Sequence, residues 1–179
     1  MSLHTPRHAP EDEQRLMVLY TLDRIGPCTE LQLLQFFFEG DILNYFDMMF
    51  ALNDLCARGQ TARTQKKAGY LYALTEAGRE ALSLFGSRVP ASLKTLLAET
   101  GEAWKNRFLE EEQYPVSVKQ KSRGECELEL AVVEQDMEML HLSLTLPSRE
   151  MADALAGKWA KKAGEVYETV FRLLSEDEK

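Results

Sequence analysis

The chain has 179 residues, 45% of them hydrophobic, enough to bury a core in one sizeable domain or two small ones. Its formal net charge of −8 argues against a protein that coats nucleic acid without sequence preference. No apolar run approaches the roughly 18 residues that span a bilayer, and the start of the chain lacks the apolar stretch of a signal peptide. Cys28, Cys56 and Cys126 are widely spaced and odd in number, so the sequence predicts a cytoplasmic protein with reduced, buried thiols, no disulfide framework and no membrane partner.

Residues 1–10 mix Pro, His and Arg without periodicity and read as a disordered tail. His4 and His8 are four apart, but Pro6 and Pro10 oppose the helix that would bring them together on a metal, and no metal or other cofactor is expected. A helix is predicted from about Glu11 to Ile25, with acids in its first turn and Leu16, Leu19, Tyr20, Leu22 and Ile25 as its apolar stripe. Gly26-Pro27 stops it. Thr29 lies three residues before Gln32, a capping-box spacing that opens a helix over Leu31, Leu33, Leu34, Phe36, Phe37 and Phe38 until Gly40. The next helix runs from about Leu43 to Arg58, with Phe46, Met49, Phe50, Asn53 and Cys56 recurring along one face.

Two extended pieces follow, Thr61 to Gln65 and Tyr70 to Leu74, joined by Lys66-Lys67-Ala68-Gly69 into a hairpin. Thr75 is a natural N-cap for a helix over Glu76 to Phe85, with Ala77, Ala81, Leu82 and Phe85 inward. A long helix from Ala91 to Glu112 carries Leu93, Leu96, Leu97, Trp104, Phe108 and Leu109.

Beyond Pro115 the period changes to two. Val116 and Val118 begin it, Leu128, Leu130 and Val132 alternate with Glu125, Glu127 and Glu129, and Leu140, Leu142, Leu144 and Leu146 alternate with His141, Ser143 and Thr145. The pattern predicts a three-stranded antiparallel meander with one wet face. One long helix, capped by Ser148 and carrying Met151, Leu155, Trp159, Val166, Val170, Leu173 and Leu174 near one stripe, is expected to cover the other face. His141 near Glu127 or Glu129 has acid–base geometry in principle, but no nucleophile, phosphate loop or metal spacing accompanies it, so a cross-strand polar pair is the reading and no enzyme is expected.

Two helices, a basic hairpin and a further helix follow the order of a winged helix-turn-helix. The expected fold is therefore α+β: a winged-helix domain with an extending helix over 11–112, then a sheet-plus-helix domain over 113–179. In that fold the N-terminal part of the third helix enters the major groove and the hairpin lies against the DNA backbone or minor groove. The groove-facing positions would be Asn44, Tyr45, Asp47, Met48, Ala51 and Asp54. Asn44 suits adenine and the Tyr45 hydroxyl a phosphate, but no Arg or Lys is placed there for guanine. The hairpin is better equipped: from Arg58 to Gly69 there are four basic residues (Arg58, Arg63, Lys66, Lys67) and no acid, with Gln65 among them.

Tyr72-Ala73-Leu74-Thr75-Glu76-Ala77-Gly78-Arg79-Glu80-Ala81-Leu82 is similar to the strand followed by Thr-Glu-x-Gly-x-x-x-Leu of many bacterial winged-helix regulators, the MarR and PadR types included. With Leu84-Phe85-Gly86-Ser87-Arg88-Val89-Pro90-Ala91-Ser92, the upstream Leu19-Tyr20 and Asp23, and Tyr45-Phe46, the chain resembles a poorly characterised bacterial family of presumed transcriptional regulators, common in anaerobic Gram-positive lineages. One departure stands out. Winged-helix proteins usually start the first hairpin strand with a Gly-Leu-Ile-like run, whereas Gln60, Thr61 and Ala62 follow Gly59 here, so the hairpin must be less anchored or held by another contact.

The resemblance implies a transcriptional regulator; the first expectation is therefore a homodimer on double-stranded DNA, joined through the helix from Ala91 to Glu112 or the terminal helix, with the C-terminal sheet and helix as an effector or partner module. The alternative is a protein-interaction adaptor that keeps the scaffold and has given up DNA. A continuous positive strip over the third helix and hairpin would favour the first, a broken one the second.

Overall fold

The computed structural model describes residues 9–66 and 69–175. The tail expected at 1–10 falls outside them except for Ala9 and Pro10, and Lys67 also lies outside. The chain is a mixed α+β protein that divides into two compact units, Met1–Asn106 and Arg107–Lys179.

The first unit is built around α1 (Glu11–Ile25). Leu16, Met17, Val18, Leu19, Leu22 and Ile25 are all buried, so α1 is covered on more than the single stripe expected of it. The two-residue strand β1 (Cys28–Thr29) leads into α2 (Glu30–Glu39), which opens on the expected capping box: Thr29 Oγ1 accepts from the Gln32 N–H, and the Gln32 side chain accepts from the Thr29 N–H at 2.9 Å. From α2, Leu33, Phe36 and Phe37 go inward while Leu31 and Phe38 stay exposed. Phe36 meets the Phe37 and Trp104 rings edge-on.

Next come α3 (Tyr45–Ala57) and the hairpin of β2 (Thr61–Lys66) and β3 (Gly69–Leu74). The three strands form an antiparallel sheet in the order β1-β3-β2, with Cys28 opposite Tyr72 and Arg63 opposite Tyr72 on the other side. α4 (Glu76–Phe85), a short 3-10 turn and α5 (Ala91–Gln113) follow, α5 crossing into the second unit. In α4 only Gly78 is buried. Ala77 is exposed and Phe85 is 49% exposed, so they do not face inward as expected. On α5, Leu93, Leu97 and Phe108 are buried, but Leu109 is not.

The second unit holds β4 (Val116–Gln120), β5 (Cys126–Glu134) and β6 (Met137–Leu146) as an antiparallel meander in that order. Gln135 and Asp136, both at positive φ (49° and 62°), make the tight turn between β5 and β6. Cys126, Leu128, Leu130 and Val132 form the buried row of the sheet.

Its cover is two helices rather than one: α6 (Arg149–Ala156) starts at Ser148, whose hydroxyl accepts from the Met151 N–H, and α7 (Trp159–Ser175) follows a break at Gly157. The break lets Trp159 turn its indole N–H onto the Ala131 carbonyl at 2.9 Å. Ala152, Trp159 and Ala163 are the covering residues, whereas Met151, Leu155, Leu173 and Leu174, expected on the inward stripe, are exposed. No helix among the described residues is long and apolar enough to cross a membrane.

Candidate functional site

The surface with the most unabsorbed chemistry is formed by α3 and the hairpin. α3 has two apolar faces at the same spacing. The structure buries Met48, Ala51, Leu52 and Leu55, and turns Tyr45, Phe46, Phe50 and Asn53 outward. This inverts the face expected from Phe46, Phe50 and Asn53. It also removes Met48 and Ala51 from the groove-facing set, since Met48 is wholly inaccessible and Ala51 is 4% exposed. Phe46 and Phe50 are 69% and 72% exposed.

Asn44, expected to read adenine, and Tyr45 and Arg58, expected at phosphates, all have partners within the chain. Asn44 is the N-cap of α3: its Oδ1 accepts from the Asp47 N–H at 3.0 Å and its Nδ2 donates to the Asp47 carboxylate at 2.9 Å. The Tyr45 hydroxyl lies 3.5 Å from Glu30 Oε1. Arg58 Nε donates to Asp54 Oδ2 at 2.8 Å, and Arg15 Nη1 donates to the same oxygen at 2.7 Å. Asp54 thus absorbs the cation at the end of α3.

The hairpin keeps Arg63 toward solvent. Arg63 is exposed and its guanidinium lies 4.9 Å from the centroid of the Tyr70 ring, a cation–π contact that fixes the side chain. It also neighbours the Tyr72 hydroxyl, whose pKa is raised above the ordinary tyrosine value, first by burial and next by the Glu30 carboxylate, with Arg63 opposing both. Gln65 is exposed and its amide donates to the Lys66 carbonyl at 3.1 Å; Lys66 is half-buried.

What holds the hairpin to α3 is a set of contacts near Gly59. Thr61, only 3% exposed, places its hydroxyl 3.2 Å from Cys56 Sγ. The Thr75 N–H bonds the Gln60 carbonyl at 3.2 Å and its hydroxyl bonds the Gly59 carbonyl. Gly78 completes the joint, for a Cβ there would sit 2.2 Å from the Gln60 carbonyl oxygen. The stretch from Thr75 to Gly78 therefore clamps the end of the hairpin to the turn after α3.

In the second unit, His141 lies opposite Ala131, not opposite a glutamate. Glu127 and Glu129 pair instead with Lys121 at 2.9 Å and Lys119 at 2.8 Å. The Lys121 hydrogen bond is the first cause holding the Glu127 carboxyl below its ordinary range, as the Glu129 hydrogen bond is for raising Lys119. This is a cross-strand ion-pair ladder, and His141 has no part in it.

Fold and site together define a two-unit α+β protein with an exposed aromatic helix beside a basic hairpin. The chain belongs to the family described as domain of unknown function DUF4364, which it matches over residues 14–174. No curated protein and no solved structure matches it.

Proposed function

We propose that the first unit is a winged helix-turn-helix and that the protein is a DNA-binding transcriptional regulator whose main grip on the duplex is the hairpin. The observation that carries this is the hairpin itself. It projects exposed Arg63 beside Lys66, with Lys67 next in sequence, and is clamped by Thr75 to the end of α3. The order α1, β1, α2, α3, β2, β3 with a β1-β3-β2 sheet supports the scaffold reading. In this arrangement the wing cations neutralise phosphates, while α3 offers the groove an apolar surface suited to thymine methyl groups rather than a guanine-reading cation.

A second reading, an adaptor that binds protein through α3, is favoured by the exposed Phe46 and Phe50 and by Asp54 neutralising Arg58, which breaks the positive strip between helix and hairpin. The test is duplex binding by wild type and by Arg63→Glu/Lys66→Glu/Lys67→Glu, followed by fluorescence anisotropy. Loss of binding in the variant supports the regulator, and no binding by wild type at low salt leaves the adaptor reading in its place.

A further inference from the structure

We propose that β6 is the surface through which two copies of this chain associate, their strands pairing antiparallel about a two-fold axis to make one six-stranded sheet. This goes beyond the regulator reading and stands or falls independently of whether α3 and the hairpin meet DNA.

The argument begins with the main chain. Among the described residues β6 is an edge, with β5 as its one ladder partner. In an antiparallel strand the N–H and C=O of each residue point to the same side, and successive residues alternate sides. The Ala131 N–H donates to the Pro115 carbonyl at 3.1 Å and the Glu125 carbonyl accepts from the Lys121 N–H at 2.8 Å, so odd-numbered residues of β5 turn toward β4. Even-numbered residues therefore turn toward β6. Their partners Leu142, Leu144 and Leu146 bond back to β5, and His141, Ser143 and Thr145 direct their main-chain groups away from it. That row is a template for another strand.

Charge selects what can use it. The opposite edge, β4, carries Lys119, with Lys121 just beyond it, the device that keeps an edge from pairing. From Met139 to Leu146, β6 has no Lys, Arg, Asp, Glu or Pro. Antiparallel self-pairing about the middle of β6 sets His141, Ser143 and Thr145 of one copy against those of the other, and the leucine row against the leucine row. No like charges face each other, although each copy carries −8 overall.

The apolar face is also unfinished on this side. Leu128 is fully buried on β5, while Leu144, opposite it on β6, is 39% exposed. A strand added at β6 would give Leu144 an apolar neighbour.

The experiment is sedimentation equilibrium of the full chain for wild type, for His141→Lys/Thr145→Lys and for Ser143→Pro, with near-UV circular dichroism to establish folding. The lysines copy what β4 already tolerates, and Pro at an outward N–H is compatible with an edge strand. The expected result is a mass of two chains for wild type and of one chain for whichever edge variant retains the folded spectrum. A wild type with the mass of one chain overturns the proposal. So does a dimer that survives in a folded edge variant, which would put the interface elsewhere.

Discussion

The Thr75 hydroxyl donates a 2.7 Å hydrogen bond to the Gly59 carbonyl while accepting one from the Gly78 N–H at 3.2 Å. One side chain thus joins the end of α3, the end of the hairpin and the start of α4. Thr75→Val keeps the shape but loses both bonds, and should cost about 1–2 kcal/mol in urea unfolding. Thr75→Ser should recover most of it. Equal midpoints for the Val variant and wild type would show that the clamp contributes little.

Gly78→Ala sets two effects against each other. Alanine improves helix propensity by about 1 kcal/mol, but its Cβ would meet a backbone carbonyl oxygen at 2.2 Å, which cannot swing away as a side chain would. The clash should win, with a net loss of about 1–3 kcal/mol. A variant more stable than wild type would mean that α4 is not pressed against Gln60.

The two faces of α3 separate cleanly by mutation. Leu52 is wholly inaccessible, so Leu52→Ala should cost about 2–5 kcal/mol. Phe50 is 72% exposed, so Phe50→Ser should stay within about 0.5 kcal/mol of wild type. Thermal or urea unfolding that reversed this order would restore the inward-facing assignment of Phe50.

Burial pushes the Cys28 thiol up to about 12. The ordinary value is 9.0, so the folded state holds this proton more tightly than the unfolded one. Stability from Cys28 is thus fully present below pH 9 and falls as pH rises toward 12. At mildly alkaline pH a thiol reagent should modify the half-buried Cys56 first and reach Cys28 and Cys126 only on unfolding. Mass spectrometry of the native protein showing Cys28 labelled before Cys56 would contradict this.

Features with local chemistry were legible in the sequence. Gly26-Pro27 ends α1, Thr29 and Gln32 form their capping box, Thr75 and Ser148 cap the helices placed after them, and the leucines of β5 and β6 share a face as their alternation required. What could not be read depends on tertiary neighbours. In α3, the rows Phe46-Met49-Phe50-Asn53 and Met48-Ala51-Leu52-Leu55 have the same helical spacing, and only packing in the first unit decides which is buried. The break at Gly157 accompanies the reach of Trp159 to Ala131, a tertiary contact that spacing along the chain does not reveal. Asn44 is also the type of residue that caps helices, and here its capping role occupies the amide that would have read adenine.

The most direct measurement of the regulator reading is the salt dependence of anisotropy on a mixed-sequence duplex. On the proposed regulator reading, with Arg58 held by Asp54, the hairpin cations offered to phosphates by two copies are Arg63, Lys66 and Lys67 of each. Counterion release from two copies predicts a log–log slope on the order of −5 for wild type, collapsing toward zero in Arg63→Glu/Lys66→Glu/Lys67→Glu. Wild-type binding with a slope near zero, or an unchanged slope in the triple variant, would contradict a hairpin grip on the DNA backbone.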